Sequence, residues 1–241
     1  MKLPTLQELL EAGVHFGHQT KKWNPKMKPY IYTDRGGVHV IDLAITRKCL
    51  QEAYKFLRDK ASEGARIVFV GTKRQAAHVI REQVAKEKIF YISERWPGGL
   101  LTNFENTKAP IERLGEVEKL LASEEKLSSL TTKKKYALKK EKERLEALVG
   151  GLRGLKEGPE VLFIVDPVRE QVAVREAVIT DVPVVALLDT NGDPANITYP
   201  IAGNDDALGS ISLIVKTMTE AVLEGRKRES KTKRSKAKGS I

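Results

Sequence analysis

Three short apolar runs constrain this chain more than any other feature. "RIVFV" (66–70), "VLFIV" (161–165) and "VVALL" (184–188) carry no polar residue beyond the first position. A strand with one wet face alternates apolar and polar side chains, whereas one that is apolar throughout has to be covered on both sides. Segments of helical period lie between and after these runs, over 72–87, about 169–180 and 206–224, and "IFYIS" (89–93) reads as a further strand. Strands alternating with amphipathic helices predict an α/β fold, a doubly wound parallel sheet with helices on both faces. Thr72 is the expected N-cap of the helix over 72–87, and Asp206 that of the last one.

The remaining segments have their own signals. Thr5 with Glu8 three residues on is a capping-box pattern for a short helix that Gly13 closes. "YIYTDRGGVHVIDL" (30–43) alternates around a Gly-Gly pair and reads as a hairpin, and "AITRKCLQEAYKFLRDKA" (44–61) is helical by period. Residues 105–155 break the α/β rhythm. Leu114, Val117 and Leu121 recur at spacings of three and four, as do Leu145, Leu148, Leu152 and Leu155, on either side of the polar "SEEKLSSLTT". Two narrow seams flanking a turn predict an antiparallel coiled-coil hairpin. The expected organisation is a discontinuous α/β domain (1–104 and 156–225), a helical insertion (105–155) and a basic tail (226–241).

Charge suggests the partner. The chain carries +10 from 42 Lys+Arg and 32 Asp+Glu, and the tail "RKRESKTKRSKAKGSI" concentrates much of the excess. The tail has no apolar period, so it reads as a disordered extension that either solubilises the protein or neutralises phosphates. A basic protein favours a polyanionic partner. One cysteine, Cys49, rules out a disulfide framework and indicates a reducing compartment. No run reaches the length of a membrane span, so a cytoplasmic protein without a membrane partner is expected.

Enzyme motifs are sparse. "VFVGTKRQA" (68–76) has one glycine where a dinucleotide or phosphate loop needs several, and no G-x-S-x-G elbow occurs. The alternative reading is a nucleotide-binding α/β enzyme without a recognisable phosphate loop. His15 and His18 lack the spacing of a zinc helix and read as loop architecture. "DTNGDP" (189–194) begins like a calcium loop, but Pro194 and Pro200 stand where glycine and glutamate are needed. A divalent ion held by Asp189, Asp205 and His18 remains an open expectation.

Nucleic acid accounts for more of the pattern. Lys21, Lys22, Trp23, Lys26, Lys28 and Tyr30 interleave cations with aromatics in a loop stiffened by Pro25 and Pro29, and Arg35 follows in the hairpin. Lysines neutralise phosphates, and aromatic rings stack on unpaired bases or pack beneath the backbone. "ERWPGGLLTNF" (94–104) repeats the theme with Arg95, Trp96 and Asn103, while Lys73 and Arg74 stand where a helix begins.

Several motifs together resemble one family. "LLEAGVHFGHQTKKWNPKMKPYIY", "VFVGTKRQA", "RWPGGLLTNF", "PEVLFIVDPVREQVAVREA" and "VALLDTNGDP" with "YPIAGNDDA" occur in the order found in bacterial-type ribosomal protein S2, from about Leu6 to Gly225. The resemblance implies a flavodoxin-like domain with a helical hairpin, bound to small-subunit rRNA near the head–body junction. It also implies neighbouring small-subunit proteins including ribosomal protein S1, which depends on this family for docking. Neither catalysis, nor a small-molecule substrate, nor a required cofactor is implied. The arm is similar to that of the bacterial and organellar branch. Asp181, Ala202 and Gly209 depart from the family pattern, where glycine or a basic residue, proline and arginine are usual.

Overall fold

The computed structural model describes residues 3–128 and 130–238. The first element is α1 (Leu6–Glu11), capped by the expected reciprocal bonds between Thr5 and Glu8. Next come β1 (Phe16–Gln19), β2 (Ile31–Arg35) and β3 (Val38–Ile41), an antiparallel sheet in the order β1-β3-β2. Gly36 and Gly37 turn β2 into β3 with φ of 60° and 78°, a left-handed pair that L side chains rarely adopt. The hairpin is therefore where the alternation placed it.

The main sheet is built from β4 (Ile67–Val70), β5 (Phe90–Ile92), β6 (Val161–Val165), β7 (Val184–Leu188) and β8 (Tyr199–Ala202). All neighbours are parallel and the order is β5-β4-β6-β7-β8. Numbered within the domain this is 2-1-3-4-5, the flavodoxin-like arrangement. Every residue of β4, β6 and β7 is buried, as their uninterrupted apolar sequences require. Alternate side chains separate into two cores. Ile67, Phe69, Phe163, Val165, Val185 and Leu187 pack under α2 (Leu43–Ser62) and the buried face of α8 (Leu208–Lys238), including Leu50, Leu57, Ile214 and Met218. Val68, Val70, Leu162, Ile164 and Ala186 face the other way, towards α7 (Gln171–Ile179).

The helix over 72–87 begins later and less regularly than expected. It consists of α3 (Arg74–Val79), a π turn (Ile80–Val84) and a 3-10 turn (Ala85–Glu87). Lys73 occupies the N-cap without a side-chain bond, because the Thr72 hydroxyl is engaged by Glu170 at 2.6 Å. Asp206 is not a cap either: the Asn204 side chain accepts from the N–H groups of Asp206 and Ala207 at 2.8 and 2.7 Å. Asp181 explains one departure from the family pattern. Its φ of 55° follows α7 in the left-handed region, where glycine is the unstrained choice and aspartate is tolerated.

The insertion contains α4 (Phe104–Ala122), α5 (Glu124–Ser128) and α6 (Thr132–Val149), with Ser129 of the expected turn outside the described residues. Its root is shared with the α/β domain: Ile111, Leu114, Leu145, Val149 and Leu152 join the second core beside Val68, Ile92 and Trp96. The seam differs from the expected heptad at one position. Leu148 is exposed and Val149 is buried, because the root faces a sheet and follows the i, i+4 stripe of an ordinary packed helix. Arg113 to Glu141 at 2.8 Å, and Arg153 to Glu118 at 2.7 Å, add ion pairs between segments of the arm.

The basic tail also differs from expectation, since α8 continues through residues 226–238. Lys, Arg, Glu and Ala are good helix formers, and extending an existing helix carries no nucleation cost. A Glu224–Arg228 pair at 2.6 Å spans the junction, and the Arg226 guanidinium donates to the carbonyls of Glu87 and Lys88 at 3.1 and 3.3 Å. Residues 239–241 lie outside the described residues. Among the described residues no helix is long and apolar enough to cross a membrane.

The assignment of the arm's buried face has a direct test. Leu114→Ala should cost about 2–5 kcal/mol as a cavity in the second core, whereas Leu148→Ala should stay within about 0.5 kcal/mol. Denaturant unfolding of both variants measures this, and equal costs would restore the heptad seam.

Candidate nucleic-acid interface at the carboxyl edge of the sheet

The ends of β4, β6, β7 and β8 bring together polar residues that are far apart in sequence. The Lys73 ammonium lies 3.2 Å from Asp166, 2.9 Å from Asp205 and 2.5 Å from Asp206. Burial opposes its charge, but Asp206, Asp205 and Asp166 outweigh that and hold its pKa above the ordinary lysine value. One cation cannot neutralise three carboxylates. Burial, with Asp166 and Asp189 nearby, therefore pushes the Asp205 carboxyl up to about 7 against the pull of Lys73. Lys73 was expected to meet a phosphate, and in the structure it is engaged in these internal pairs.

The expected metal trio is rearranged for the same reason. His18 Nδ1 lies 2.9 Å from Asp189 and Nε2 lies 3.5 Å from Asp206, and donor atoms of these three residues lie within 4.8 Å of one another. Asp205 is buried against Lys73, and Asp206, which reaches both Lys73 and His18, takes its place in the trio. The hydrogen bond to Asp189 raises the His18 pKa more than burial lowers it. An imidazole and two carboxylates suit a borderline divalent cation as well as they suit a protonated histidine.

These carboxylates also position the lysine loop. The His18 N–H donates to Asp189 and Thr190 at 3.0 and 2.9 Å, and Asn24 N–H donates to the Thr190 carbonyl at 2.8 Å. Gly17 passes so close that an added Cβ would sit 2.7 Å from Thr190, which only glycine permits. Met27 is fully buried in a third core with Ile41, Leu188 and Ala202, and Tyr30 packs against it. The peptide from Thr20 to Tyr30 is therefore two 3-10 turns held at one edge of the sheet, the second opened by Asn24 and Pro25. Lys21, Lys22 and Lys28 project from it exposed, and Lys26 pairs with Asp193 at 2.7 Å. Trp23 is half-buried with its ring 5.1 Å from His39, so it supports the loop from within. The His15 ring lies tilted against Phe16, centroids 4.0 Å apart, and leaves Nδ1 buried without a partner among the described residues, and burial lowers its pKa.

The other expected contacts are dispersed. Arg35 is exposed at the end of β2, Arg74 is exposed at the start of α3, and Arg95 and Asn103 are exposed in the loop before α4. Trp96 is buried and its indole N–H donates to Glu176 at 3.0 Å, so it is a packing residue. Glu176 is the residue the sequence reading missed. It is buried on α7 and also accepts from the N–H groups of Gly99 and Leu101 at 2.8 and 3.1 Å. Burial alone would raise its carboxyl, but bonds from Gly99, Trp96, Leu101 and Thr102 together hold it below the ordinary value. Glu176 thus fastens the "WPGGLLT" loop from beneath. A charged residue on the buried side of an otherwise apolar helical stripe was the available signal.

The family model described as ribosomal protein S2 matches residues 9–225. The small ribosomal subunit protein uS2 of Petrotoga mobilis (strain DSM 10674 / SJ95) is 46% identical over 226 residues, covering 94% of this chain and 78% of its own length.

Glu176 offers a stability test with a pH window. Glu176→Ala should cost roughly 3 kcal/mol, because the buried Trp96 indole and the part-buried N–H groups of Gly99 and Leu101 are left without their acceptor at once. A carboxyl held low in the fold stabilises it above the ordinary value near pH 4 and ceases to do so as pH falls through the folded value. The difference between wild type and Glu176→Gln should therefore be fully present at pH 6 and shrink below about pH 4. Urea unfolding across that range measures it, and a constant difference would refute the charged role.

Proposed function

Because the chain belongs to the ribosomal protein S2 family, we propose that it is a structural constituent of the small ribosomal subunit that binds rRNA near the head–body junction. The observation that carries this reading is the rigid presentation of Lys21, Lys22 and Lys28. Their loop is fastened by Met27 in an apolar core and by Asn24 to Thr190, so exposed cations stand on a fixed surface. Pre-ordered cations meet phosphates without the entropic cost of ordering the loop. Arg35, Arg74, Arg95 and Asn103 extend the surface. No catalysis and no small-molecule substrate belong to this role.

On the same reading residues 1–104 with 156–225 form the RNA-binding body, 105–155 an arm and 226–241 a basic extension. The protein works on the cytoplasmic ribosome and supports docking of ribosomal protein S1. A divalent ion at His18, Asp189 and Asp206 would add a further tie between β1 and the main sheet. Elemental analysis of purified protein and assembled subunits should find it, and its absence from both would remove it from the reading.

The direct test is binding as a function of salt. Lys21→Ala with Lys22→Ala should weaken rRNA binding and lower the slope of log affinity against log salt by about 0.7–0.9 for each phosphate no longer neutralised. Trp23→Ala should lower stability and leave that slope in place. In sucrose gradients the wild-type chain should travel with small subunits, and subunits lacking it should retain less S1. A lysine variant with unchanged affinity and slope would show that the loop does not hold RNA.

A further inference from the structure

A second cationic surface lies on the same sheet edge, beyond β4 and away from the lysine loop. The segments after β4, β5 and β6 enclose a crevice of about 830 Å³, walled on one side by α3 and its π turn. Arg74, His78 and Arg81 recur at i, i+4 and i+7 along that wall, and Arg169 and Leu208 line it as well. Thr72, Gln75 and Ser93 supply hydroxyl and amide groups.

The carboxylates around it are already engaged. Glu94 is paired with Arg81, and Glu82 lies 3.6 Å from His78. Glu170 accepts from the Thr72 N–H and hydroxyl at 2.8 and 2.6 Å, and Asp166 is shared between Lys73 and the Arg169 N–H. Arg169 Nε donates to the Thr72 hydroxyl at 3.0 Å, which orients its guanidinium. Neither Arg74 nor Arg169 makes an ion pair among the described residues, and the carboxylate that acts on Arg169 is the buried Glu170, held by Thr72.

We propose that this crevice is a phosphate-binding site in which Arg74 and Arg169 each grip a phosphate group. The guanidinium fork matches phosphate oxygens in pairs, and ligands of doubly wound sheets sit at the carboxyl ends of the strands. Its lining is almost devoid of apolar side chains, with Ala77 and Leu208 the exceptions, so it reads charge rather than a base. The phosphate groups come either from an RNA backbone or from a free polyphosphate. In the RNA case the site rests on the proposed rRNA-binding role and adds a second anchor to it.

The test uses the full-length protein with two probes, a labelled ten-nucleotide oligouridylate and inorganic pyrophosphate. Wild type is compared with Arg74→Ala/Arg169→Ala, Arg74→Lys/Arg169→Lys and Lys21→Ala/Lys22→Ala. The double alanine variant should bind oligouridylate at least tenfold more weakly, with a salt slope lower by about 1.4, at about 0.7 for each phosphate of a single strand. The double lysine variant should keep the slope and bind somewhat more weakly, since charge remains without the fork. Pyrophosphate should raise the melting temperature of wild type but not of the double alanine variant. A melting shift that depends on the arginines, without any RNA binding by wild type, supports the crevice for a free polyphosphate and counts against the RNA reading. RNA binding abolished only in the Lys21/Lys22 variant, with no arginine-dependent pyrophosphate shift, overturns the crevice and leaves the RNA reading standing. Circular dichroism of each variant confirms folding, which should persist because neither arginine has a carboxylate partner to strand.

Discussion

A parallel sheet whose strands are apolar on both faces has to be covered twice, and the rest of this molecule follows from that requirement. The first face is closed by α2 and α8 and the second by α7 and the root of the arm. Each buried valine, leucine or isoleucine is worth roughly 1.5–3 kcal/mol relative to exposure, so neither face can be left open. The arm is consequently part of the cover at its base and projects only beyond it.

With both faces dry, the polar residues of the fold collect at the edges, above all at the carboxyl edge. There buried carboxylates are tolerable only when paired. Lys73 and His18 supply the pairing, and in doing so they tie together the ends of β4, β6, β7 and β8 and the strand β1. Where many doubly wound proteins place a ligand, this one places its own ammonium and imidazole. The same network fixes Thr190, whose carbonyl and hydroxyl hold the lysine loop in place. The acidic network and the placement of the lysine loop are thus one set of bonds.

Charge acts differently in the two halves of that edge. Lys73 is neutralised in the interior, while Lys21, Lys22, Lys28, Arg74 and Arg169 remain exposed around it. Interior pairing rigidifies the edge, so the exposed cations stand on a backbone that is already ordered. Glu176 plays the corresponding role for the second tryptophan loop: a buried anion collects the N–H groups of Trp96, Gly99 and Leu101 and fixes how Arg95 and Asn103 are presented.

Much of this was legible from local pattern. Period and composition determined the parallel sheet, the Gly36-Gly37 hairpin, the capping box at Thr5, the helical arm and the basic lysine loop, because backbone preferences and the in–out alternation of side chains act over a few residues. Partners distant in sequence were decided only by the tertiary structure. Lys73 turned inward because three carboxylates from the ends of β6 and β8 converge on it, Asp206 displaced Asp205 beside His18, and Trp96 became a donor to a glutamate 80 positions away. Val149 replaced Leu148 because the root of the arm meets a sheet rather than a second seam alone. Spacing along the chain specifies which residues share a face. Which charges share a low-dielectric interior depends on how the strands are ordered in the sheet, and there pairing is compulsory because an unpaired buried charge would cost a large part of the fold's net stability.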